Sequence, residues 1–566
     1  MTAETPLDCL VIGYNEPPLE RYADLVRQYG EYSEAYRDLK LSFVEIGGRK
    51  LNYVDLLNHV TSLAREARGE ANGTVDGAEY KSGDIPTLAA VYLTNFLRRK
   101  GYRANYLNLF QHEKEKLLEH LEQNPLCIAI TTTLYVLNLP AIEIVEFIRR
   151  HNRNVKIIIG GPLIANHARN YRSSERDVAR SQVGRVEKNE GDDEFFAALE
   201  DLGADIYVIE GQGETTLSQI VACLKNGGDL SRVPNIVYLE DGTYRITRTL
   251  PENNSLEENT IDWYDFRDKN LGATIQTRTA RSCAFKCSFC NYPTRAGALT
   301  LASLDALERE LDSIRALENV QNVVFIDDTF NVPFPRFKEI CRLMIRKNYQ
   351  FNWFSYFRCS NSDEEGFELM AKSNCKGVFL GIESGSPRIL ENMNKAATVE
   401  KYMKGIERLR QHGILTFGSF IIGFPGETEE TISETAAFIR EAKPDYYRAQ
   451  LWYCEPGTPI FHQREKYGIE GEGFVWSHDT MESMEAMDHI DKLFLTINET
   501  LWLPQWSFDF WIIPYLIGKG ISLEQFREFM KLADRLLTME IASVRSDEKE
   551  QAQQKRLHDL VKVFAA

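Results

Sequence analysis

The feature that most limits how this chain folds is a recurring run of apolar residues, rich in Val and Ile, that does not alternate with polar ones and is followed each time by a turn and a helical pattern. The first such runs are "DCLVIGYN" (8–15), "YRANYLNLF" (102–110), "PLCIAITTTLYV" (125–136), "NVKIIIGGPLIA" (154–165) and "DIYVIEGQGETT" (205–216). Strands that are apolar throughout are buried on both faces, which calls for parallel strands covered by helices. The expectation for residues 1–245 is a doubly wound, Rossmann-like α/β domain whose ligands lie outside the carboxyl ends of the strands. Its helix "DIPTLAAVYLTNFLRRKGYRA" has Pro86 near the first turn, Arg98, Arg99 and Lys100 in the last, and Gly101 just beyond. The insertion 16–83 is too long for an ordinary loop and is expected to be structured.

After a linker, 246–270, a second βα series begins: "TIQTRTA", "VVFIDD" (323–328), "FNWFSYFR" (351–358), "GVFLGIES" (377–384), "ILTFGSFIIGFPG" (414–426) and "YYRAQLWY" (446–453). Helical segments at 301–316, 334–347, 398–411 and 428–441 separate them, so residues 271–464 read as a partial (β/α)6 barrel with its site on the carboxyl-end loops. Residues 465–566 carry helical periodicity and no further strand series, which predicts a mainly helical C-terminal region. The run "LWLPQWSFDFWIIPYLIG" (501–518) is interrupted by Pro504, Asp509 and Pro514, and reads as a buried aromatic segment, not a membrane span. The net charge is −17 and the basic residues are scattered, which argues against nucleic acid as a partner. Without a charged-then-apolar leader, and with three of its cysteines crowded into a short stretch, the chain is expected to be cytoplasmic.

That stretch is "RSCAFKCSFCNYPT" (281–294), where Cys283, Cys287 and Cys290 stand in a C-x3-C-x2-C frame. A closed structural zinc site needs a fourth Cys or His, and the nearest histidines in sequence are His167 and His412. With Phe289 just before the last Cys, and with the frame following the first strand of a βα barrel series, the motif resembles that of the radical S-adenosylmethionine (SAM) enzymes. The resemblance implies a 4Fe–4S cluster held by Cys283, Cys287 and Cys290, with the fourth iron left for the amino and carboxylate groups of SAM. Reductive cleavage would give a 5′-deoxyadenosyl radical, with electrons from an external flavodoxin- or ferredoxin-like donor. The strand ends "FIDDTF", Arg358, "GIESGS" (381–386) and "IIGFPGET" (421–428) also match the family. By that resemblance Arg358 is a candidate for the SAM carboxylate, Glu383 and Ser384 for its amino or ribose groups, and the backbone around Gly423 for adenine. Phe289 and Asp327 complete the expected SAM site.

A doubly wound domain ahead of such a barrel resembles the cobalamin-binding domain of cobalamin-dependent radical SAM enzymes. Thr132, Thr133 and Leu134 form a Thr version of the S-x-L element, Gly160 and Gly161 match the following Gly-Gly, and "EGQGETTL" adds Glu210, Gly211 and Gly213. Tyr14 and Asn15 stand at the first strand end, where the corrin would lie. The D-x-H-x-x-G frame of methyl-transfer corrinoid proteins is missing, since Asp55 and His59 are one residue too far apart, so cobalamin is expected base-off without a histidine ligand. The segments "DCLVIGYNEPPLERYADLV" and "SEAYRDLKLSFV" are diffusely similar to phosphinate P-methyltransferases. The resemblance implies methylation of an unactivated carbon or a phosphinate phosphorus of a small-molecule or peptide natural-product intermediate, using a 5′-deoxyadenosyl radical and methylcobalamin. The alternative is a non-methylating oxidative ring contraction or cyclisation.

Overall fold

The computed structural model describes residues 6–69, 79–81, 84–174, 192–269, 271–504, 506, 508–542 and 546–565. Residues 70–78 and 82–83 of the expected insertion lie outside the described residues. The chain forms two compact units: the first comprises Met1–Pro17 and Pro86–Phe266, the second Pro18–Ile85 and Arg267–Ala566.

The first unit is built on strands β1 (Cys9–Tyr14), β2 (Ala104–Leu109), β3 (Cys127–Thr131), β4 (Lys156–Gly160), β5 (Ile206–Val208), β6 (Ile236–Glu240) and β7 (Thr243–Ile246). Their order is β2-β1-β3-β4-β5-β6-β7. The first five run parallel, while β6 and β7 are antiparallel additions at one edge. Each apolar run of the sequence becomes one of the parallel strands, because both of its faces are covered: Leu10, Ile12, Ile128, Ile130, Ile157 and Ile159 share one core with Ile144 and Ile148 of the helix Leu139–His151. The helix Leu88–Arg99 ends where its terminal basic residues and Gly101 indicated. Strand order reverses between β1 and β3, and in open α/β sheets ligands are taken beside the carboxyl ends of the strands at such a switch point. Residues 246–266, expected as a linker, lie against this unit: Asn95 and Arg99 donate to the Thr260 carbonyl, and the Arg98 guanidinium sits 4.7 Å over the Phe266 ring.

The second unit holds strands β8 (Thr274–Thr277), β9 (Asn322–Phe325), β10 (Asn352–Tyr356), β11 (Cys375–Glu383), β12 (Leu415–Ile422), β13 (Tyr446–Leu451) and β14 (Leu501–Trp502), all parallel and in sequence order. Six are the βα units read from sequence. The seventh, β14, comes from the aromatic-rich run 501–518 and pairs Trp502 with Tyr447. The wall has an outer and an inner face. Trp353 packs outward against Phe337 of the helix Phe334–Lys347, and Phe420 against Phe438 of the helix Glu429–Ala442. Inward, Phe354, Phe379 and Phe417 close around Phe510.

Two features of this unit depart from the sequence-based boundaries. The insertion folds into helices Leu19–Arg27, Glu34–Lys40 and Tyr53–Ala67 with a hairpin Phe43–Ile46/Arg49–Asn52, and it groups with the second unit, not the first. Arg37 pairs with Asp491 at 2.6 Å, Tyr53 donates to Asp534 at 3.0 Å, and the Trp502 indole donates to the Leu41 carbonyl. The C-terminal region, largely helical, also contains a three-stranded sheet of Glu470–Glu472, Val475–His478 and Met481–Glu482. No helix among the described residues is long and apolar enough to cross a membrane.

Candidate functional site

In the second unit the cysteine frame forms a loop after β8, and backbone hydrogen bonds from distant segments hold it. The Ser288 amide donates to the Met393 carbonyl, the Ile460 amide to the Ser288 carbonyl, and the Asn394 side chain to the Lys286 carbonyl at 2.7 Å. Cys287 is buried, Cys283 and Cys290 are partly exposed, and all three are free. Burial first, then the proximity of Cys287, Asp328 and Cys283, pushes the Cys290 thiol up. Among the described residues no three His, Cys, Asp or Glu side chains converge as a single ion requires. A four-iron cluster asks for something different, thiolates spread around a cube, and three free thiols on one pinned loop fit that demand.

Arg358, two residues past Tyr356 on β10, lies beside this loop. Its guanidinium carbon is 3.6 Å from the centroid of Phe285, a residue inside the cysteine frame. It is 7% exposed, and its Nε and Nη2 are buried without hydrogen-bond partners. These two nitrogens form one edge of the guanidinium, the edge that grips a carboxylate with two parallel hydrogen bonds. That orphaned fork fits the carboxylate of an amino-acid-like ligand such as SAM.

The remaining residues expected around SAM are placed as follows. Phe289 packs edge-on to Phe424, with the Lys395 ammonium 5.2 Å from its ring centroid. Glu383 sits at a bulge of β11 with φ of +70°, a left-handed backbone unusual for a non-glycine residue, and pairs with Lys395 at 3.0 Å. Burial alone would lower the Lys395 pKa, but Glu383 and neighbouring groups raise it. Two residues turn out to be engaged by the protein itself. Asp327 accepts from the Thr279 and Ala280 amides and the Thr279 hydroxyl, all at 2.7 Å, so it anchors the approach to the cysteine loop. The Ser384 hydroxyl lies 3.2 Å from that of Thr435 and accepts from the Ser386 amide, tying the strand end to a helix. The Gly423 amide donates to Glu427 and its carbonyl faces His478 at 3.1 Å, so the glycine offers a face but no free backbone group. Sequence reading passed over Phe285, Lys395, Trp452, Trp476 and His478; of these only Phe285 carried a signal, its place within the cysteine frame. Trp476 stacks on His478 at 5.2 Å and touches Trp452 at 5.1 Å, making an aromatic wall beside Gly423.

In the first unit every residue expected to contact cobalamin lies at or just beyond the carboxyl end of β1, β3, β4 or β5, which are adjacent strands. Thr132 donates to the Gly160 carbonyl through both its amide and its hydroxyl, and the Thr131 and Thr133 hydroxyls lie 2.9 Å apart. Gly161 has φ of +117°, and a Cβ there would stand 2.8 Å from the Thr132 hydroxyl, so only glycine fits this approach of the two loops. Asn15 is buried and donates to the Pro140 carbonyl and Glu143, while Tyr14 packs 6.0 Å from Tyr135. Glu210 and Gly211 remain accessible, but the turn from Gly213 into the helix Glu214–Asn226 is fastened by Glu252, which accepts from the Thr215 and Thr216 amides. Leu134 is 61% exposed and Val136 73%, an apolar rim at the strand ends. A broad, largely apolar ring system covers such a rim, and the residues fit a corrinoid.

A model of the B12-binding domain matches residues 75–187, and a model of the radical SAM superfamily matches residues 277–439. Two stretches of the chain are therefore similar to known families, one to B12-binding domains and the other to radical SAM proteins. The chain is 29% identical over 260 residues to an uncharacterized methyltransferase of Pyrococcus horikoshii, covering 45% of this chain and 57% of that one. It is 25% identical over 303 residues to the anaerobic magnesium-protoporphyrin IX monomethyl ester cyclase of Rubrivivax gelatinosus, covering 50% and 54%. It thus spans little more than half the length of these two relatives. Among solved structures it shares its fold with the radical SAM methyltransferase TsrM of Kitasatospora setae, with a TM-score of 0.52 and 20% identity over 66% of this chain and 72% of that one. The cobalamin-dependent SAM radical enzyme OxsB gives a TM-score of 0.53 and 14% identity over 96% and 91%.

Proposed function

We propose that this protein is a cobalamin-dependent radical SAM methyltransferase that methylates an unactivated carbon or a phosphinate phosphorus of a natural-product intermediate. The observation that carries the reading is the buried, unpartnered Nε/Nη2 fork of Arg358 stacked on Phe285 of the cysteine loop. That fork would orient SAM by its carboxylate, while the Cys283, Cys287 and Cys290 thiolates would hold three irons of the cluster and leave the fourth for SAM. When bound, the cluster and SAM supply a 5′-deoxyadenosyl radical and cobalamin supplies a transferable methyl group. The chain's own contribution is positional and protective. The Glu383–Lys395 pair and the Phe289–Phe424 contact would fix one side of the SAM pocket, and the inner aromatic layer of the barrel would keep water from a reactive carbon radical. The D-x-H-x-x-G frame of methyl-transfer corrinoid proteins is missing from the sequence, which supports base-off cobalamin without a histidine ligand. A flavodoxin- or ferredoxin-like protein would supply electrons, in the cytoplasm.

A second reading keeps both cofactors and ends in oxidative ring contraction or cyclisation; the 25% identity to a cyclase over half the chain favours it. The test is anaerobic: holoprotein with cluster and cobalamin, SAM, a chemical reductant, and candidate pathway intermediates, followed by chromatography and mass spectrometry. Release of 5′-deoxyadenosine with a product heavier by one methylene is the expected result. A product lighter by hydrogens selects the second reading, and no 5′-deoxyadenosine from fully loaded protein overturns both.

A further inference from the structure

The inner face of the barrel carries a second buried cation that the SAM site does not use. Strand register places Tyr356, Phe379, Phe417 and Tyr446 in one layer, and Gly381, Ser419 and Arg448 in the next layer towards the carboxyl ends. Arg358 follows Tyr356 by two residues, so both arginines belong to that layer, with the small Gly381 and Ser419 between their strands. Arg448 is 3% exposed, and its Nε and Nη1 are buried without hydrogen-bond partners. Among the described residues its one salt bridge is long, 3.4 Å from Nη2 to Asp38 on the helix Glu34–Lys40, and the Trp502 ring lies 5.4 Å from the guanidinium.

A guanidinium does not lose its charge in a protein, so its surroundings must supply the missing acceptors. The two nearby carboxyls supply little. Burial raises the pKa of both Asp38 and Asp509 against the opposing pull of Arg448, and Asp38 reaches only the Nη2 of the guanidinium. Asp509 accepts a hydrogen bond from the Phe510 amide at 2.6 Å. Leaving buried charged donors unpaired is expensive, and a pair of such donors on the inner face of a barrel marks a place where a ligand completes the set.

We propose that Arg448 is a substrate-binding residue that takes an oxyanion, a carboxylate or phosphinate group, of the molecule acted on in the barrel. The inference rests on the proposed function for the identity of the barrel as the reaction site, and it narrows the substrate to acids. Arg358 and Arg448 then divide two acids in one layer: the former holds the carboxylate of SAM, the latter that of the substrate.

The test uses holoprotein saturated with the unreactive S-adenosylhomocysteine, so that Arg358 is occupied, and follows binding of benzoate, phenylphosphinate and neutral benzamide by calorimetry. Benzoate or phenylphosphinate is expected to bind while benzamide does not. Arg448→Met is expected to weaken that binding by about tenfold or more, as for loss of a charge-assisted hydrogen bond, with part of it restored in Arg448→Lys. Affinity for S-adenosylhomocysteine is expected to stay unchanged in both variants. Equal binding of the acids to Arg448→Met, no binding to the parent, or displacement of the acids by S-adenosylhomocysteine would overturn the proposal. Should Arg448→Met fail to retain its cluster, a crystal of the unaltered holoprotein with 4-bromobenzoate decides: bromine density beside Arg448 supports the proposal and density elsewhere sinks it. No step of this test needs turnover, so acid binding without 5′-deoxyadenosine formation would fault only the proposed function, and the reverse result only this inference.

Discussion

Single residues in the barrel are set by how completely the fold satisfies their polar atoms. Glu427 is the clearest case: it is fully buried, one carboxyl oxygen accepts from the Gly423 amide at 2.5 Å, and the other has no partner. Burial pushes its pKa up from 4.5 to about 8, with the Gly423 and Phe424 amides pulling the other way. The folded state therefore keeps a proton that the unfolded chain gives up near pH 4.5. The stability this confers is complete below that pH, declines by about 1.4 kcal/mol per pH unit above it, and levels off past the folded pKa. Melting temperatures measured from pH 5 to 9 are expected to fall more steeply in the parent than in Glu427→Gln, whose amide cannot titrate; parallel slopes would refute the assignment. The same reasoning separates Arg358 and Arg448, whose donors await partners, from Asp327 and Ser384, whose atoms are already engaged. From sequence, all strand-end polar residues look alike. Cys283, Cys287 and Cys290 were legible as a group because their close spacing puts three free thiols on one loop. Arg448 was not, because it lies inside an apolar strand and its significance comes from a register with Ser419 that only the folded sheet defines.

At the scale of elements, the long apolar runs were legible because burial on both faces leaves no polar alternation, and the helices 334–347 and 399–411 followed from their 3.6-residue periodicity. Short strands were not. β14 contains two residues, and Leu501–Trp502 becomes a strand only because Tyr447 offers a free edge. Turns at strand ends are where sequence and packing meet most tightly. Gly423 has φ of +86°, and a Cβ placed there would stand 2.4 Å from the Trp476 ring and 2.8 Å from Ala486. Gly423→Ala is expected to lower stability by about 2 kcal/mol or more, from left-handed strain added to the clash with a packed ring. Urea unfolding would measure this, and a loss below a few tenths of a kcal/mol would mean that the Trp476 wall yields. Because the same turn presents Phe424 to Phe289 of the cysteine loop, SAM affinity is expected to fall with it.

For the whole molecule, the decisive fact is that the chain crosses between its two units three times, at residues 17/18, 85/86 and 266/267. Composition gave no hint of this, since the insertion follows β1 directly and its partners lie more than 400 positions away, as with Arg37 and Asp491. A protease site engineered between Phe266 and Arg267 is expected, after cleavage, to leave two fragments that still co-elute on gel filtration. The amino-terminal fragment carries helices 19–67, which are held in the second unit by Tyr53–Asp534 and Arg37–Asp491. Fragments that separate without denaturant would contradict the assignment. The triple crossing also bears on ancestry and on redesign. β1 is an inner strand, clasped by β2 and β3, yet it is followed at once by residues that serve the other unit. The two domains are therefore not interchangeable cassettes: recombination at one breakpoint would carry the 18–85 segment of the second unit along with the first. A chimera that pairs this barrel with a foreign B12-binding domain has to be spliced at all three crossings.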